Sequence, residues 1–305
     1  MTSLSRTEKP GLAIGLRLGS VVMLSLMWAL IKLLSARGVH LVELLFYRQL
    51  LAIPLVYGWI VWSAGPGGIA TKRLDLHATR TVIGLTSMVF NFGSVVLLPL
   101  AESTTIGFTA PIFATIFSAL FLREATGIHR WSAVLLGFVG VIIMARPDTA
   151  HFPPLGLAVA ITAAIGVAII SILLRALSRT ETPPAIVFWF TVMSVPPLGL
   201  LMIWFGQWHD PVTWALIAAM GICGGIAQLL LTSALRWAPV AVVLPMDYSA
   251  IIWAALLGWI FWDTLPIAST WAGAALIVAS GLYILLREHR LGRVATLLAE
   301  AESRP

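Results

Sequence analysis

Few ionisable side chains lie inside the long apolar stretches of this 305-residue chain, so those that do are the first candidates for chemistry. A charge at the centre of a bilayer costs roughly 2.5–3.5 kcal/mol on insertion scales, so such groups face protein or water and mark a pathway. Three stand out: Lys32, Arg48 and Asp247. Arg48 lies about seven residues into one apolar stretch and Asp247 about eight into another, hence roughly 10 and 12 Å deep at 1.5 Å per helical residue. They enter from opposite sides of a core about 30 Å thick, so they end at similar depths. An anion and a cation at one depth suit a zwitterion, with Asp247 taking an ammonium and Lys32 or Arg48 a carboxylate. The competing structural reading pairs Arg48 with Glu43 or a backbone carbonyl, and lets Lys32 snorkel to the outer surface.

Other polar and aromatic groups gather around these three. Trp28 precedes Lys32 by four residues and shares its helix face. Tyr248 adjoins Asp247, and Pro245 frees a backbone carbonyl just before them. Rings at such places stack on an organic solute or cation for about 0.5–2 kcal/mol, or serve only as packing. Asn91 and Gln228 carry amides that must find partners when buried, as cavity walls or as interhelical clasps. Gly84, Gly221 and Gly225 permit close helix approach. Pro111 and Pro245 read as kinks or hinges.

Several chemistries lack their residues. The six histidines (His40, His77, His129, His151, His209 and His289) fall in joins or at helix ends, with no His-x-x-x-His pair at bilayer depth, so no metal or other cofactor is expected. No glycine loop for nucleotide phosphates is present. Cys223 is the only cysteine, so no intrachain disulfide forms. Glu102, Thr104 and Thr105 come nearest to a nucleophilic cluster. An intramembrane enzyme, the alternative from another class, would need a base at their depth.

The elements that must position these groups are membrane spans. Hydrophobic residues make up 59% of the chain and charged residues 10%, with a mean hydropathy of +0.97. Soluble domains hold roughly 25% charged residues, so this chain cannot coat itself with polar groups and must face lipid. The 13 Trp suit anchoring at the headgroup level. Apolar stretches occur at 12–35, 41–62, 79–99, 102–122, 129–146, 154–176, 184–205, 212–235, 239–262 and 269–287, each near the roughly 20 residues a helix needs to cross. The joins near Ala101 and Pro239 are the tightest.

With the N-terminus inside, fifteen of the 19 Lys and Arg fall on the cytoplasmic side, Arg17 and Arg80 among them. Arg37 and Arg146 fall outside, and Lys32 and Arg48 within spans. That asymmetry predicts an inner-membrane protein with both termini cytoplasmic. It also explains the net charge of +6 without any nucleic acid. The tail from Glu288 is compatible with a helix on the inner leaflet or with disorder.

The chain repeats itself. Phe46-Tyr47-Arg48 through Pro54 aligns with Phe188-Trp189-Phe190 through Pro196. Gly84 and Asn91 align with Gly221 and Gln228, Trp131 with Trp271, and Gly140 with Gly281. Five spans per copy is odd, so the second copy enters upside down. The expected fold is an all-α membrane protein of about ten transmembrane helices, a 5+5 inverted-topology repeat with substrate held at mid-bilayer between the halves. Residues 12–147 and 148–287 are the two repeats, with segments 1–11 and 288–305 at the cytoplasmic ends.

Phe46-Tyr47-Arg48 entering the second span, Pro111 in a fourth span ending Phe121-Leu122-Arg123-Glu124, and Gly137 with Gly140 in the fifth resemble the ten-span EamA branch of the drug/metabolite transporter superfamily. The second copy departs from the pattern at Phe190, Ala250 and Asp263. The resemblance implies a secondary transporter with a small-molecule substrate. Spans 1, 3, 4, 6, 8 and 9 would line its cavity, with 5 and 10 peripheral. Amino-acid export is the favoured activity; import of S-adenosylmethionine or a nucleotide-sugar-like solute is the alternative. A homodimer remains compatible.

Overall fold

The computed structural model describes residues 9–71, 73–121, 128–145, 153–178, 180–238 and 240–302. Lys72, Leu122-Arg123-Glu124, Arg146, His151 and Pro239 lie outside these residues. The described elements are helical: α1 Pro10–Ala36, α2 Leu41–Ala64, α3 Leu74–Leu97, α4 Leu100–Gly107, α5 Ala110–Phe121, α6 Ile128–Ala145, α7 Pro154–Leu177, α8 Pro183–Phe205, α9 Pro211–Trp237, α10 Val240–Val243, α11 Ala250–Trp262 and α12 Ala268–Glu302. Short 3-10 turns cover Pro66–Ile69 and Leu244–Ser249. Among the described residues, nine stretches are long and apolar enough to cross a membrane, and α6 adds a shorter one, Trp131–Met144. The α12 helix runs without a break from the tenth span to Glu302.

Helix starts follow local chemistry. The first backbone N–H groups of a helix have no partner within it and need a cap. His40 and Glu43 supply a reciprocal pair at α2: His40 Nδ1 accepts from the Val42 N–H (3.2 Å), while Glu43 Oε1 accepts from the His40 N–H (3.1 Å). At α9, Asp210 accepts from Val212 and Thr213 (3.0 and 3.1 Å). Proline occupies the first position of α1, α7, α8 and α9, where its missing N–H costs nothing.

The main helix contacts run between the two repeats rather than within them. α1 packs on α9 and α3 on α7, and these two pairs are related by the pseudo-dyad. The pairs α2–α8, α4–α11 and α6–α12 each join equivalent spans. Small side chains make this possible. A methyl group added at Gly221 would meet Leu51 at 2.5 Å, and one at Gly225 would meet Leu55 at the same distance. The Ser20 hydroxyl donates to the Ala227 carbonyl across α1–α9 at 2.7 Å, and Ser280 to Ala133 across α6–α12 at 2.6 Å.

Spans 4 and 9 are both broken at mid-length. The first breaks between α4 and α5 at Phe108–Thr109, and the second between α10 and α11 at the 3-10 turn Leu244–Ser249. Pro111 sits second in α5, just after the first break, and Pro245 sits second in the 3-10 turn that forms the other. The two breaks meet, with the Phe108 and Tyr248 rings 4.9 Å apart.

Candidate functional site

A cavity of about 280 Å³ opens where the broken spans face α1, α2, α3 and α9. Its polar lining comes from both repeats: Arg17, Ser20, Ser25, Arg48, Asn91, Ser94, Ser103 and Thr104 from the first, and Gln228 and Asp247 from the second. Trp28 and Phe108 supply the aromatic walls, and Trp28 is itself held edge-on by Phe92 at 5.3 Å. Among the lining hydroxyls, Ser20 donates to the Ala227 carbonyl, and Ser94 and Ser103 pair with each other at 2.7 Å. The cavity therefore stays polar without an unpaired hydroxyl at that junction.

The dominant charge feature is an ion pair. Arg17 Nε and Nη2 donate to the two carboxylate oxygens of Asp247, a bidentate contact between α1 and the 3-10 turn of the ninth span. The arginine side chain is 11% exposed and the aspartate 27%, so solvent screens the pair weakly and the planar fork fixes its geometry.

A second cavity of about 330 Å³ adjoins the first across Leu24, Trp28, Arg48, Asn91, Gly224 and Gln228. It extends toward the face where α1 begins, between α2, α3, α7 and α8, and holds Gln49, Arg80 and Phe190. Arg48 Nη1 donates to Gln49 Oε1 at 2.8 Å and touches Met88 Sδ at 3.6 Å. The Arg80 guanidinium carbon lies over the Phe190 ring, 3.9 Å from its centre. A third space, about 700 Å³, shares Gly107, Phe108 and Asp247 with the first and is lined by Pro111, Thr115 and Tyr248.

The residues expected from sequence divide into three groups. Trp28, Arg48, Asn91, Gln228 and Asp247 come together on the central cavity. Tyr248 stands one cavity away, beside Phe108. Lys32 lines neither of the first two cavities. Its ammonium donates to the Val95 and Leu98 carbonyls at 3.0 and 2.6 Å, closing the end of α3, and lies 5.9 Å from the Trp262 ring. Glu43 does not pair with Arg48. It is fully buried and accepts from the Gln207 N–H and bonds His209 at 2.8 Å.

Arg17 and Arg80 were not expected at the site. Arg17 lies seven and Arg80 six residues beyond a helix start, and both were read as cytoplasmic flank. The cavity also draws on more helices than expected, because α2 contributes Arg48 to the first cavity and α8 contributes Phe190 to the second. Among the described residues, no three His, Cys, Asp or Glu side chains converge as a metal site.

Comparison with known proteins fits this architecture. The profile of the EamA-like transporter family matches residues 11–146 and 154–286. The riboflavin transporter of Vibrio cholerae is 29% identical over 231 residues, 74% of this chain and 76% of that one. The pseudopaline exporter of Pseudomonas aeruginosa is 28% identical over 259 residues, 84% of this chain and 89% of that one. A solved crystal structure superposes with a TM-score of 0.60 at 20% identity, covering 92% of this chain and 98% of that one, which shows the shared fold. With two family repeats that fill almost the whole chain and enclose a polar cavity, the protein belongs to the EamA-like transporter family and is a multi-pass membrane transporter of small metabolites, not an enzyme.

Proposed function

We propose that the chain is a secondary transporter of the bacterial inner membrane that exports amino acids by alternating access, with both termini in the cytoplasm. The observation that carries this reading is the Arg17–Asp247 pair on the wall of the central cavity. A zwitterion can replace that pair like for like, its ammonium on Asp247 and its carboxylate on Arg17 or Arg48. With the carboxylate on Arg17, both members of the pair keep a counter-charge, where a buried orphan costs several kcal/mol. Trp28, Asn91 and Gln228 complete the contacts, and Tyr248 senses occupancy through the turn it shares with Asp247.

Cavity size favours one small solute. Ligand pockets commonly measure roughly 300–1,000 Å³, and this one holds about 280 Å³. Asp247 sits on the break in span 9, so a ligand that changes its partner acts directly on the joint between α10 and α11. Pro111 and Pro245 then work as hinges, and Gly84, Gly221 and Gly225 let packed helices slide. The repeats at 12–147 and 148–287 exchange roles as the cavity opens to one face and then the other. A relative named for export supports the outward direction.

Counterflow in proteoliposomes tests the assignment. Saturable uptake of a labelled amino acid, accelerated by unlabelled amino acid on the far side, is the expected result. Flux that rises linearly with concentration, or no movement of any amino acid, overturns it.

A further inference from the structure

We propose that Arg48, Arg80 and Gln49 form an oxyanion subsite in the second cavity, so that the chain recognises solutes bearing a carboxylate or phosphate apart from their zwitterionic head. The subsite's role as a selectivity element rests on the transport reading above; its ability to bind an anion does not.

The argument starts from unmet hydrogen bonds. Arg48 Nε, Arg80 Nε and Nη1, and Gln49 Nε2 are all sealed from solvent and have no acceptor. All three residues line one cavity of about 330 Å³, and its lining holds no Asp or Glu. The nearby carboxylates are engaged elsewhere: Asp247 with Arg17, Glu43 with His209, and Glu181 with His77 at 3.5 Å. Two guanidiniums therefore share this cavity with no carboxylate in its lining.

Such an arrangement is expensive and has a specific remedy. Buried charges are ordinarily paired, and an unpaired cation at bilayer depth marks a function. An oxyanion between the two guanidiniums supplies the missing charge and up to four acceptor positions in one step. Arg80 is pre-set for this role. The Phe190 ring lies 3.9 Å from its guanidinium carbon and restrains the group, while Nε and Nη1 keep N–H groups for a planar or tetrahedral oxyanion. Gly84 keeps that contact possible, because a Cβ there would come within 2.7 Å of the Phe190 ring. The cavity also meets the central one at Trp28, Asn91 and Gln228, so a single solute can reach from the Arg17–Asp247 pair to Arg80.

The test uses the full-length protein, in lipid nanodiscs for binding of glutarate and glycerol 3-phosphate and in proteoliposomes for counterflow of alanine. Saturable binding of either acid by calorimetry is expected, with Arg80→Gln weakening it roughly tenfold or more. The ligand-free Arg80→Gln protein is expected to unfold no lower than the parent, since it loses an unpaired cation. Binding of glutarate alone assigns a carboxylate site, and binding of glycerol 3-phosphate alone a phosphate site. Should Arg80→Gln not fold, Arg80→Lys, which keeps the charge but loses the fork, serves instead and is expected to bind the acid several-fold more weakly. Failure of both acids to bind, or unchanged binding in folded Arg48→Gln and Arg80 variants, overturns the subsite. Saturable alanine counterflow beside no acid binding would sink the subsite alone. Arg80-dependent acid binding without any counterflow would sink the transport reading and keep the site.

Discussion

Asp247 grips Arg17 with both carboxylate oxygens, and the pair ties an unbroken helix of the first repeat to the broken span of the second. The register that sets Ala250 opposite Pro111 sets Asp247 opposite Phe108, so the carboxylate has no counterpart in the first repeat. The contact is thus a specialised joint between halves that otherwise pack symmetrically.

Breaking one side of this joint leaves a charge alone. Asp247→Asn is expected to cost about 3–5 kcal/mol of stability and to reduce amino-acid counterflow at least tenfold. The double variant Arg17→Gln with Asp247→Asn removes both charges and should unfold at a higher temperature than Asp247→Asn alone. Thermal unfolding in nanodiscs, read beside transport, checks both statements. A double variant less stable than either single one would show that the pair is not the coupled unit.

Lys32 serves the end of a helix. Replacing it with Gln withdraws a charged donor from the last carbonyls of α3, an interaction of about 1.5–3 kcal/mol for a charged hydrogen bond. A lower unfolding temperature and a slower maximal rate are expected, with KM for amino acids little changed. A KM that rises tenfold while stability holds would place the ammonium on the substrate.

Close approach at Gly84 and Gly221 leaves no room for a methyl group. Gly84→Ala presses on Phe190 and Gly221→Ala on Leu51. Overpacking of this kind costs about 1–3 kcal/mol. Only Gly84→Ala is expected to weaken acid binding as well, because only that methyl group disturbs the ring beside Arg80. Equal effects of the two variants on binding would contradict the assignment.

Outside the spans, Asp210 gives a pH signature. Its carboxylate accepts from the Thr213 hydroxyl, at 2.5 Å, and from the Thr213 and Val212 N–H groups, and these bonds hold it below the ordinary aspartate value of 3.8. A depressed value in the folded state means that the stabilisation is complete above the unfolded value and is lost as pH falls through the folded one. Asp210→Ala should therefore lower the unfolding temperature near neutral pH. The gap from the parent should close below about pH 4.

Much of the architecture was legible because lipid imposes a simple rule on sequence. Apolar length marks each span, and the repeat at Arg48, Gly84 and Asn91 revealed the duplication. The breaks were legible only in part. Pro111 and Pro245 pointed to the right spans, but the break at Phe108–Thr109 carries no residue that requires it. Charge partners were the hardest to read. Lys32 bonds carbonyls that exist only because α3 ends where it does, and Glu43 finds His209 more than 160 residues away. Arg17 and Arg80 were hidden by the very asymmetry that gave the orientation. A cation near a span's cytoplasmic end looks like a flank until neighbouring helices show that it lies inside.

Because the main helix pairs join one repeat to the other, biosynthesis faces a waiting problem. When α6 leaves the ribosome, Arg17, Arg48 and Arg80 are already committed to the membrane, and the carboxylate that will neutralise Arg17 lies more than a hundred codons downstream. The nascent first half has neither its interior nor its counter-charge.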